Sequence, residues 1–181
     1  MKKNFFLHFS LKNKSFYKLY LFYNLYIRNL KYYFSKSYSQ LDEDVFLKKY
    51  LNKKKGFYVD IGCYHPIKGS LTYYLFKEGW KGLNVDLSKI SVDLFKTARP
   101  KDYNFNAAIT DFDGETFYYE NGEINQQNSL TLDNDKKKKK IQAYKLETLL
   151  NNLSISNIDY LNIDVEGSDF KVISSLDFSK Y

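Results

Sequence analysis

Three stretches of this chain hold side chains that could do chemistry together, and each stands where a run of apolar residues ends. Asp60 and Gly62 finish Gly56-Phe57-Tyr58-Val59, Asp86 finishes Gly82-Leu83-Asn84-Val85, and Asp164 finishes the run from Ile158 to Ile163. Carboxylates so placed can attract a cationic ligand, accept hydroxyl donors or take up a proton. The first turn, Asp60-Ile61-Gly62-Cys63-Tyr64-His65-Pro66, has one glycine where a dinucleotide fingerprint has three. A pyrophosphate needs the close backbone approach that those glycines give. S-adenosylmethionine has no phosphate, and its ammonium and sulfonium charges suit a carboxylate at a strand end, so the turn favours it over a nicotinamide dinucleotide. Asp86, 24 residues beyond Gly62, stands where an acidic side chain can accept both ribose hydroxyls.

Positioning these groups requires strands that alternate with helices. The pattern predicts a strand over 56–62, a helix from Ser70 to Glu78 stopped at Gly79, a strand over 82–86, and a helix capped by Ser88 and ending near Arg99, before Pro100. A third strand is expected from Tyr103 to Ile109, a helix over 145–152, a fourth strand over 158–165 and a helix from Ser168. Such alternation implies right-handed crossovers and a parallel sheet, with the ligand at the carboxyl ends of the strands. The expected fold is therefore α/β, a Rossmann-like, mostly parallel sheet. Between the third and fourth strands the turn signals Asp113-Gly114 and Asn121-Gly122 predict an antiparallel insertion, and the lysine run Lys136 to Lys140 reads as a solvated loop. Trp80, the only tryptophan, reads as a core anchor.

Residues 1–38 differ in kind. They contain no Gly or Pro, and Phe16, Leu19, Tyr23, Ile27, Leu30 and Phe34 recur at helical spacing. They also carry eight basic and no acidic side chains, so the net charge of +7 belongs to this arm and the remainder stands near −1. A nucleic-acid partner is not indicated once the charge is so located. Lys18, Arg28 and Lys31 interrupt any transmembrane span, and no signal-peptide pattern follows Lys2 and Lys3. Two readings stay open: a helix packed on the catalytic domain or a poorly ordered extension, or else a basic aromatic helix resting on the inner face of an anionic membrane. The division expected is an arm over 1–38 and one domain over 39–181. A single cysteine, Cys63, and two histidines, His8 and His65, allow neither an internal disulfide nor a metal cluster, which makes a reducing cytoplasm the default compartment. The excess of Tyr, Lys, Asn, Phe and Ile throughout is what an AT-rich genome produces, so much of the aromatic content carries no functional meaning.

The blocks Ser39-Gln40-x-x-Glu43-Asp44, Tyr58-Val59-Asp60-Ile61-Gly62-Cys63-Tyr64-His65-Pro66, Ser70-x-Thr72, Gly79-Trp80-Lys81-Gly82, Asn106-Ala107-Ala108-Ile109 and Ile163-Asp164-Val165-Glu166-Gly167, in this order across roughly residues 39–178, resemble the FkbM-type methyltransferases. The resemblance implies transfer of a methyl group from S-adenosylmethionine to an oxygen of a sugar or other small-molecule acceptor. It places Asp60, Gly62, Tyr64 and His65 at the methionine end of the cofactor, Ser70 and Thr72 at the start of the first helix, Asp86 at the ribose, Asn106 and Ala107 beside the adenine, and Asp164 with Glu166 facing the methyl group. Asp164, Glu166 and His65 are then the candidates for general base. Asp42 departs from the family pattern, which has glycine there, and so does Leu87, where proline is usual. Sheets of this class continue past the fourth strand, so the resemblance also implies a sheet incomplete at its C-terminal end. A truncated product is expected on that ground, and the alternative function is a catalytically inactive fragment that acts as a binding or membrane-surface module.

Overall fold

The structure, a computed structural model, describes residues 10, 13–51, 54–120, 128–131, 133–165 and 167–181. The Asn121-Gly122 turn signal and Glu166 lie outside the described residues, as do 1–9, 11 and 12 of the arm.

Four strands form the central sheet: β1 (Phe57–Ile61), β2 (Lys81–Asp86), β3 (Tyr103–Asn106) and β7 (Tyr160–Ile163), in the order β3-β2-β1-β7 and all parallel. The chain steps outward from β1 to β3 and then returns to the other side of β1, which puts the switch point between β1 and β7. Tyr58 through Ile61 are all buried, as a strand covered on both faces must be. Alternate residues serve the two layers. Val59 and Ile61 join Leu83, Val85, Leu146, Leu150 and Val172 on one side, while Tyr58 packs with Leu75, Trp80 and Leu94 on the other. The covering helices include α4 (Tyr73–Lys77), α5 (Lys89–Ala98), α6 (Leu146–Asn152) and α7 (Asp169–Ser174). Ser88 caps α5, its side chain accepting the Ser91 amide hydrogen.

The expected third strand is two strands. β3 belongs to the parallel sheet, but β4 (Ala108–Ile109) belongs to a second sheet of order β4-β6-β5, in which β5 (Gly114–Glu120) and β6 (Lys137–Tyr144) pair antiparallel. The chain changes sheets at Ala107, where Asn106 turns its side chain back to donate to the carbonyls of Asp86 and Leu87. The lysine run is a correction: Lys137 to Lys140 are strand, not loop. Their charges are met across the ladder, with Lys139 on Glu120 and Lys140 on Glu115, both at 2.6 Å, and Lys138 over the Phe117 ring.

The arm is helical, with α1 (Lys14–Phe22), a π-helical turn (Tyr23–Arg28) and α2 (Leu30–Tyr33), followed by α3 (Glu43–Tyr50). Its docked face is not the stripe that periodicity picks out. Tyr20, Leu21 and Leu25 enter the cluster of Tyr58, Trp80 and Leu94, and the Tyr17 hydroxyl donates to Asp93 on α5 at 2.8 Å. Phe16, Leu19, Tyr23, Ile27, Leu30 and Phe34 are exposed, Ile27 by 59% and Phe34 by 83%. Asp42, which stands where the FkbM pattern has glycine, holds φ at +61°, and the side chain that follows it at Glu43 braces the turn by accepting the Leu41 amide hydrogen. Among the described residues no helix is long and apolar enough to cross a membrane.

Candidate active site

A cavity with about 830 Å³ of space outside the protein atoms, part of it open to solvent, lies at the carboxyl ends of β1, β2 and β7. Its lining includes Asp60, Gly62, Tyr64, Ser70, Asp86, Ala107 and Asp164, which the sequence places far apart and the parallel sheet brings together. At its centre the chain leaves β1 through Gly62 at φ +83°. A Cβ there would sit 1.9 Å from the Asp164 carbonyl oxygen, so only glycine lets β1 and β7 approach this closely. Tyr64 follows at φ +53°, a left-handed conformation in a residue with a bulky side chain. Its amide donates to one oxygen of Asp86 at 2.8 Å, and the Ser88 amide donates to the other at 2.7 Å. One carboxylate thus ties the first turn to the end of β2. Burial raises its pKa to about 6, against the opposing pull of the two amide hydrogen bonds.

Asp60 lines the floor with both oxygens engaged, by the Asn162 side-chain amide at 2.9 Å and the Thr72 hydroxyl at 2.8 Å. Burial raises its pKa as well. Behind it stands Arg99, fully buried, whose guanidinium donates to Thr72, Ser70, the Tyr58 hydroxyl and the Pro66 carbonyl. Tyr58 in turn donates to Asp102, which also accepts from the Gly82 amide and the Asn84 side chain. Thr72 therefore lies behind the lining and orients Asp60, while Arg99 supplies the positive charge that the two buried carboxylates require. Sequence reasoning missed Arg99 because a basic residue in the last turn of a helix is usual at the surface. Asn162 left a trace: it is the one amide in Tyr160-Leu161-Asn162-Ile163, opposite Asp60 in the β1–β7 register.

His65, a candidate base on the family resemblance, is not among the residues that line the cavity. It is 2% exposed; its Nδ1 accepts the amide hydrogens of Ile67 and Lys68, and its Nε2 stands 3.1 Å from the Asn24 side-chain oxygen and 3.2 Å from the Asn29 amide nitrogen. Two donors on Nδ1 leave the proton on Nε2, assigned here from the hydrogen-bond pattern. Neither nitrogen then has a lone pair to offer a substrate. Burial, with Lys68, Arg99 and Arg28 nearby, lowers its pKa to about 3 and keeps the ring neutral. Its structure serves to hold residues 65–68 onto the arm. Replacing Asn24 with Ala should leave the Nε2 proton buried without an acceptor, and urea unfolding should show a loss of about 1–3 kcal/mol; a loss under about 0.5 kcal/mol would contradict the assigned tautomer.

Asn106 is likewise outside the lining, spent on the carbonyls of Asp86 and Leu87, whereas Ala107 is buried and lines the cavity with Ala108, Ile109, Leu87 and Leu130. Leu130 and Asn128 come from the insertion, and Gln40 from the segment before α3, so parts with no recognisable strand-end signal complete the walls. Asp164 is among the lining residues, and burial followed by the neighbouring Asp169 raises its pKa. Three carboxylates in one concave lining can hold a cationic ligand, accept hydroxyl donors and receive a proton. No curated protein and no solved structure shows significant similarity to the chain. The profile of the methyltransferase FkbM domain matches residues 60–181, which take in the end of β1, the cavity turn, β2 to β7 and the insertion, and the chain belongs to that family.

Proposed function

We infer that the chain binds S-adenosylmethionine in this cavity and methylates a hydroxyl oxygen of a sugar or similar small acceptor. The observation that carries the reading is the convergence of Gly62, Asp86, Asp164 and Ala107 on one lining at the switch point of a parallel sheet. The lining fits the donor. Each Asp86 oxygen uses one amide hydrogen bond and keeps acceptor capacity for a ribose hydroxyl. The carboxylates would repel a pyrophosphate, and the apolar wall of Leu87, Ala107, Ile109 and Leu130 suits an adenine face. Bound there, S-adenosylmethionine would supply an electrophilic methyl carbon for the acceptor oxygen, with the neutral thioether as the leaving group. Asp164 is assigned as the base that takes the hydroxyl proton, because its raised pKa brings it nearer the working range for proton acceptance. Glu166 is a second candidate on the family resemblance alone.

Calorimetric titration with S-adenosylhomocysteine tests the reading, and absence of heat at about millimolar ligand would defeat it. Asp86→Asn removes a charged acceptor of two hydrogen bonds and should weaken binding by about 10–100-fold. The pH dependence has a definite sign. Ribose hydroxyls need the ionised carboxylate, and the free protein protonates Asp86 near pH 6. Affinity should therefore hold above pH 7 and fall about tenfold by pH 5, and the variant should show a flatter profile.

A further inference from the structure

We propose that the outer face of the arm is a docking surface for an anionic lipid bilayer. α1, the π-helical turn and α2 are apolar on two faces. One face is consumed by the domain through Tyr20, Leu21 and Leu25. The other presents Leu19, Phe22, Tyr26, Ile27, Leu30 and Phe34, each a large apolar or aromatic side chain between 37% and 83% exposed. A helix apolar on both sides normally lies inside something, and the described residues cover only one side.

Charge decides what covers the other. Lys14, Lys18, Arg28, Lys31 and Lys36 are all exposed, and residues 1–38 contain no Asp or Glu to neutralise them. A basic helix with an apolar stripe is the form that lies in the plane of a membrane interface, its apolar side sunk among the acyl chains and its cations among anionic headgroups. Tyr26 carries a polar tip on an apolar ring, which suits headgroup depth. Spanning is excluded for the described helices, none of which is long and apolar enough. A second copy of the chain would bring the same uncompensated positive charge to the interface and be repelled.

Co-sedimentation of the full chain with phosphatidylcholine vesicles containing about 30% phosphatidylglycerol tests the proposal, with pure phosphatidylcholine vesicles as the second arm. The chain should pellet with the anionic vesicles and stay in solution with the neutral ones. Leu19→Asp combined with Ile27→Asp should lower the partition coefficient by at least about tenfold. Lys18→Glu combined with Lys31→Glu, at exposed positions whose replacement leaves the packed face intact, should lower it by about 100-fold. Thermal melts within a few degrees of the parent would establish that both variants fold. Equal pelleting of parent and folded variants would overturn the proposal. So would failure to pellet with anionic vesicles, equal binding to neutral ones, or a vesicle-free dimer that Leu19→Asp dissociates.

Discussion

Gly62→Ala should abolish measurable S-adenosylhomocysteine binding and cost the fold about 3 kcal/mol or more. Two penalties fall on one atom. The new Cβ must accept a φ of +83°, and it must find room where the Asp164 carbonyl oxygen stands 1.9 Å away. Backbone cannot yield as a flexible side-chain end can, so β7 has to separate from β1 at the place where the cavity opens. Gly69→Ala isolates the first penalty. Gly69 also has a positive φ, +67°, but its nearest neighbour is the Gln40 side chain at 3.8 Å. That variant should lose only about 1 kcal/mol. Urea unfolding of the pair, with calorimetry for the ligand, checks both values; a Gly62→Ala protein within about 1 kcal/mol of the parent would show that the two strands do not meet there.

Arg99→Met should be nearly as damaging, at about 3–5 kcal/mol. Methionine fills much of the arginine volume, so what disappears is the guanidinium rather than the packing. Burial raises the pKa of both Asp60 and Asp102, and the two would then remain buried without the cation that opposes that rise. The sign with pH follows. Without Arg99 the two carboxylates titrate at higher pH, and a protonated carboxyl no longer needs a counter-charge, so the difference between variant and parent should shrink between pH 7.5 and about pH 5. A packing defect alone would give a difference independent of pH, which denaturant titrations at the two pH values distinguish.

The parallel sheet was legible because its signals are local. Buried strands such as Tyr58 to Ile61, a single glycine at the first turn, a Ser88 cap and an acidic residue at the end of β2 each fall within a window of a few residues. Groups that depend on distant partners were not legible. Lys137 to Lys140 form a strand because Glu115 and Glu120, some 20 residues earlier, neutralise two of them across the ladder. The position of His65 in the first turn suggests proton exchange, but its Nε2 is occupied by Asn24, 41 residues away. Arg99 gave no sign that it would turn inward. The arm shows the limit most plainly: a period of 3.6 residues reveals that apolar stripes exist on a helix, but which stripe meets the domain depends on the surface that receives it.

The acidic lining has a further consequence for turnover. A pocket walled by Asp60, Asp86 and Asp164 does not treat equally two guests that differ by a single positive charge. On the proposed reading, methyl donation would convert a sulfonium into a neutral thioether, and the spent molecule would be held less firmly than the fresh one at the same concentration. The charge of the walls would then favour replacement of the spent donor by a fresh one.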